Sequence, residues 1–178
     1  LTLTEEDLIV SGGELSDFKA ISTSLYTATF TPSSNSTTHG MVQVNAGSFT
    51  DLAGNDNATD TILSIPVETT VPSLAFTTTD DSLKAGETAT ITITLSEESP
   101  DFSQDSLLIR GGELSLLQAS STTSYTGTFT PTADSTTEGH LSIAAGQFSD
   151  LAGNTSAEDA VIRLAVDTTV PTLSFSSS

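Results

Sequence analysis

The nine residues TATITITLS (88–96) alternate between apolar and hydroxyl side chains, with Ala89, Ile91, Ile93 and Leu95 on one parity and Thr88, Thr90, Thr92 and Thr94 on the other. Successive side chains of a β-strand point to opposite faces, so the pattern predicts a strand with one face in a core and one in water. The same alternation recurs at Tyr125, Gly127 and Phe129, at Leu141, Ile143 and Ala145, and at Ile162, Leu164 and Val166. Between these runs lie DDSLKAGE, RGGE, PTADSTTEG and DLAGN, which read as turns. Thr and Ser dominate the outward positions, where they suit a pleated surface without adding charge.

The chain repeats itself without a gap. Gly12 and Gly13 correspond to Gly111 and Gly112, a shift of 99 positions that also aligns SGGELS with RGGELS, YTATFTP with YTGTFTP, NSTTHG with DSTTEG, and ETTVPSLAF with DTTVPTLSF. Solenoid repeats are about 20 to 50 residues long, so so long a period means tandem domains. Two full periods would run to 198 positions, 20 more than the 178 present, and the unmatched stretch is Asp80 to Ser99. We therefore expect a partial repeat over 1–67 lacking its first two strands, a complete repeat over 68–166, and the first strand of a following repeat over 167–178, all cut from a longer array. In the complete repeat seven strands are expected, near Ser73, Thr88, Ser106, Leu114, Ser124, Gly139 and Asp159. Helical periodicity is absent. The expected class is all-β, with tandem immunoglobulin-like seven-strand sandwiches. With no Cys and no Trp, their cores rest on Ile, Leu, Val, Phe and Tyr.

Charge narrows the function. Four Lys plus Arg stand against 23 Asp plus Glu, a formal net charge of −19. Nucleic acid and anionic membrane surfaces would repel such a chain, which makes cations its natural counterpart. The absence of cysteine removes disulfides, thiolate metal sites and Cys nucleophiles, leaving a bound cation as the usual staple for a small extracellular domain. The apolar runs are far shorter than the roughly 20 residues of a membrane-spanning helix, so no membrane insertion is expected and any targeting segment lies elsewhere.

DTTVPTLSF opening a unit, SLKAGETATITITLSE as its second strand, YTGTFTP, and GQFSDLAGN before the last strand together cover nearly all of the chain. In combination they resemble the bacterial immunoglobulin-like repeats of giant secreted adhesins, including those of the RTX type. The resemblance implies a stalk on the bacterial cell surface, with many copies in series, calcium at the junctions, neighbouring repeats as partners and no catalysis.

The placement of acids gives the cation reading its own basis. In an alternating sandwich, one end of the complete unit would carry Glu68, the second-to-third loop with Glu97, Glu98, Asp101 and Asp105, and the loop with Asp150 and Asn154. The other end would carry Asp80, Asp81, Asp134 and Asp167. Stacked end to end, acidic poles would meet within a Debye length, about 8 Å at physiological salt. Calcium, which takes six to eight oxygen ligands in loose geometry, would neutralise them, and Glu68, Asp80, Asp81, Glu97, Asp101, Asp150 and Asp167 are the candidate ligands. Zinc is disfavoured because His39 and His140 do not occupy equivalent positions and have no thiolate companions.

Other motifs read as local structure. In FTDLAGN, Asp51 is placed to accept a backbone N–H two residues on, with Gly54 and Asn55 at positive φ. Its aspartate reads first as a turn acceptor and second as a metal ligand. GGELSD (12–17) lacks the glycine of a calcium nonapeptide at Leu15 and reads as a tight hairpin. A Ser/His/Asp site would need a histidine shared by both units, and neither histidine is shared. Besides a calcium-stiffened extender, two alternatives stand: a ligand-binding module, which two Tyr and no Trp disfavour, and a self-associating biofilm protein pairing through open strand edges.

Overall fold

A computed structural model describes residues 1–177 of the chain. It divides into two compact units, Leu1–Thr70 and Val71–Ser178. The first holds β1 (Leu8–Ser11), β2 (Gly13–Ala20), β3 (Tyr26–Pro32), β4 (Gly40–Val44) and β5 (Thr61–Ile65). β1, β4 and β5 form an antiparallel sheet, and β2 pairs with β3.

The second unit holds β6 (Leu74–Thr78), β7 (Ser82–Lys84), β8 (Ala89–Leu95), β9 (Leu108–Arg110), β10 (Gly112–Leu114), β11 (Gln118–Ala119), β12 (Ser124–Pro131), β13 (Gly139–Ile143) and β14 (Ala160–Asp167). One sheet runs β10-β12-β8-β6 with β11 on β12, and the other runs β7-β14-β13-β9. Buried residues from both sheets form one core: Ala89, Ile91, Ile93 and Leu95 of β8 and Phe129 of β12 from the first, Leu141 and Ile143 of β13 and Leu164 of β14 from the second. This is the immunoglobulin-like β-sandwich that the alternation predicts. Along β8 every second residue is buried and the threonines between them are exposed or half-buried.

Among the described residues of the second unit, nine strands form where seven were expected. β7 lies inside DDSLKAGE, which read as a turn because Gly86 and the acids dominate it. Leu83, the lone leucine of that stretch, is 2% exposed and draws SLK against β14 in parallel register. The Ala165 N–H also donates to the Asp81 carbonyl at 2.7 Å. β11 is a two-residue addition to β12. Ala145 lies past the end of β13 and is exposed, because the chain turns away after Ile143.

The paired glycines are not a hairpin. β9 belongs to one sheet and β10 to the other, with only Gly111 between them, so the motif is a corner at which the chain changes sheets. Gly111 adopts φ +73, and a Cβ there would stand 2.2 Å from the Glu138 carbonyl oxygen, which excludes any side chain.

Residues 168–177 form no strand, and Leu173 and Phe175 are 80% and 91% exposed. Their counterparts in β6 take their hydrogen bonds from β8. Among the described residues no such partner lies beside 168–177. No helix among the described residues is long and apolar enough to cross a membrane.

Candidate functional site

The DLAGN loops are built by their own aspartates. In the first copy Asp51 Oδ1 accepts the Ala53 N–H at 2.8 Å and the Asn55 N–H at 2.9 Å, while Oδ2 accepts Asn55 Nδ2 at 2.8 Å. The acceptor two residues on is the turn role expected of it. Gly54 takes positive φ, at +85, but Asn55 does not, because its amide and side chain both point back to the carboxylate.

In the second copy Asp150 Oδ1 accepts the Asn154 N–H at 2.8 Å and Oδ2 accepts Asn154 Nδ2 at 2.7 Å. Phe148, 2% exposed, anchors this loop in the core, and Ser149 bridges to Thr155 across its neck. Burial alone would raise the Asp150 pKa. The bonds from Asn154, with the N–H groups of Ala152 and Gly153, outweigh it and hold the pKa below the ordinary value.

Two more acids reach the same pole of the second unit. Asp101 accepts the Ser149 N–H at 2.8 Å and the Ser149 hydroxyl at 2.7 Å, which hold its pKa down. Glu97, half-buried just past the end of β8, brings a carboxylate oxygen to within 4.8 Å of one from Asp150. Glu68 lies in the segment before this unit, exposed, and its Oε1 accepts the Thr70 N–H at 2.7 Å.

The remaining candidates lie at the other end of the strands. Asp80 and Asp167 line one shallow depression, but Lys84 and Glu87 line it too, and Lys84 Nζ lies 3.0 Å from Glu87. An ammonium already stands among these carboxylates. Asp80 accepts the Ser82 N–H at 3.0 Å, and the Thr169 hydroxyl and N–H hold the pKa of Asp167 low. Asp81 takes part through its backbone carbonyl. The six candidates within the second unit thus divide between two ends, and Lys84, which the sequence reading passed over, distinguishes them.

Chemically, the Glu97 and Asp150 end suits a hard cation. Its donors are carboxylate oxygens with no thiolate or imidazole, which matches calcium or magnesium rather than zinc.

A second feature, missed in the sequence, lies in the ETTVP and DTTVP segments. The Thr69 hydroxyl donates to the Ser33 carbonyl at 2.7 Å and accepts the Ser36 N–H at 3.0 Å. Thr168 repeats this with the Thr132 carbonyl at 2.7 Å and the Ser135 N–H at 2.9 Å. Each unit thus grips the first residues of the segment that leaves it. The only hint in the sequence is the repetition of the threonine after an acid.

A family model described as a bacterial Ig-like domain matches residues 2–67 and again 68–166. No curated protein matches the chain.

Proposed function

The chain belongs to the bacterial Ig-like domain family, and from that premise we propose that it is an extender segment of a bacterial surface adhesin, stiffened by calcium where one repeat follows another. Domains of this family commonly occur in surface or extracellular proteins, and Ig-like sandwiches typically serve as structural modules rather than catalysts. One observation carries the extender reading: the threonine clamp at the root of the outgoing segment, made by Thr69 in one copy and Thr168 in the other. A module that fixes its own exit, followed by a segment whose proline restricts the backbone further, favours a defined direction from repeat to repeat.

In this reading calcium is held by Glu97 and Asp150 at one end of the second unit. Asp101 orients the loop through Ser149. Bound calcium would supply the positive charge that such a cluster of acids needs.

The test is small-angle scattering on a chain with two complete repeats, in millimolar calcium and then with chelator. The expected result is a longer, narrower distance distribution with calcium, which the Glu97→Gln variant loses. A distribution indifferent to calcium removes the metal from the proposal, and a compact one in both conditions removes the extender.

A further inference from the structure

Both arginines of the chain stand on one face of one sheet. In the second unit His140 of β13 lies opposite Arg110 of β9 on one side and opposite Arg163 of β14 on the other. Along β13 the buried residues are Gly139, Leu141 and Ile143, so His140 and Ser142 belong to the outer parity, and directly opposed residues share a face. Arg110 and Arg163 are exposed. The three basic side chains therefore form a row across three strands. The next row on that face is Leu108, Ser142 and Val161, whose two apolar members are 48% and 54% exposed.

Such a row stands out in a chain with 23 acids and four Lys plus Arg. One acid reaches it: Arg163 Nη1 lies 2.7 Å from Glu138 Oε2, in a pair that is more than half exposed. Arg110 makes no ion pair among the described residues. The fold does not require the row. The first unit has the same three strands in the same register with Ser11, Met41 and Ser64 at these places, and its neighbouring row keeps the apolar pair as Ile9 and Ile62. A contact made by each repeat with the next would be carried by both units, so the row answers to something other than a neighbouring repeat.

We infer that this row is a binding site for a short acidic glycan, an oligosaccharide with a carboxylate on each of two or three successive sugars. Guanidinium groups donate paired N–H bonds to carboxylates, and the His140 imidazole adds an N–H between them. Neighbouring strands lie about 4.8 Å apart, close to the advance of one uronate ring along its chain, so successive carboxylates meet successive side chains. A peptide strand fits less well, because its same-face side chains recur about every 6.8 Å. Leu108 and Val161 offer aliphatic surface to the C–H edges of the rings. The scarcity of Tyr and Trp disfavours stacking on sugars but not pairing of charges. A net charge of −19 repels long polyanions, which confines the ligand to a few sugars.

The probe is trigalacturonate added to the 178-residue chain in the presence of a chelator, so that no calcium bridges ligand to acid. Binding is followed by two-dimensional NMR of backbone amides and arginine Nε–H groups. Shifts are expected in β9, β13 and β14 and at both arginines, with β1, β4 and β5 unmoved. Arg110→Ser or Arg163→Ser should each weaken binding about tenfold, the worth of one charged hydrogen-bonded contact. Glu138→Gln, which removes the competing carboxylate, should tighten it. The triple variant Arg110→Ser, His140→Met, Arg163→Ser copies the row of the first unit, so it should keep its melting temperature and lose binding. Absence of shifts overturns the inference, as does equal binding by the methyl ester of the same trisaccharide. Equal affinity for a triglutamate peptide overturns it in favour of an acidic polypeptide, and equal affinity for sulfate overturns it in favour of a general anion contact.

Discussion

Asp101 and Ser149 are 48 positions apart, yet the carboxylate takes both the N–H and the hydroxyl of that serine. Together with Asp150 and its bonds from Asn154, it ties two loops at one end of the second unit through acceptors that are strongest when ionised. Both pKa values lie below the usual 3.8. A carboxyl whose folded pKa is lowered stabilises the fold fully above its unfolded value, and that stability is lost as the pH falls through the folded value. Acidification from neutrality to below the usual 3.8 should therefore lower the melting temperature. The Asp101→Asn variant should start lower at neutral pH and lose less on acidification. Thermal scans across that range check it, and equal losses in both proteins would show that Asp101 carries none of the effect. The turn role of Asp51 was legible in the sequence because its acceptor contact is two residues away. The bond from Asp101 to Ser149 was not, since no local pattern announces a partner in another loop.

At the scale of the element, β8 was the most legible part of the chain. Strict alternation fixes which parity enters the core, and a one-residue slip would put threonines there. Ile91→Ala should destabilise the second unit by about 2 to 5 kcal/mol, a lost branched side chain plus the cavity it leaves. Thr94→Ala on the exposed face should stay within about 0.5 kcal/mol. Denaturant unfolding of the pair measures both, and similar costs would contradict the assignment of faces. β7 was hidden for the opposite reason. Three residues give no period to read, and only the tertiary fact that β14 has an open edge makes Leu83 a strand residue. The Gly111 corner was misread because paired glycines suit a hairpin as well as a change of sheet; the choice depends on what lies across from Gly111, which is the Glu138 carbonyl.

For the molecule as a whole, the 99-position repeat was enough to identify the tandem organisation, since identical turn motifs recur in fixed register, and strand alternation identified the fold class. The division of the acids between the two ends followed from strand direction alone. The sequence could not disclose that one end holds its own cation in Lys84, because a lysine three residues from a glutamate looks like any exposed pair. The second unit also brings its beginning and its end together: β7 runs parallel to β14, with Ser82 opposite Ala165, Leu83 opposite Val166 and Lys84 opposite Asp167. If the two termini of this unit are pulled apart, these neighbouring strands slide against each other in opposite directions, so their hydrogen bonds bear the load together in shear instead of opening one at a time. Stretching single molecules should then give a distinct rupture peak for the second unit, lowered when Leu83→Asp detaches β7. An unchanged peak would place the mechanical latch elsewhere in the sandwich.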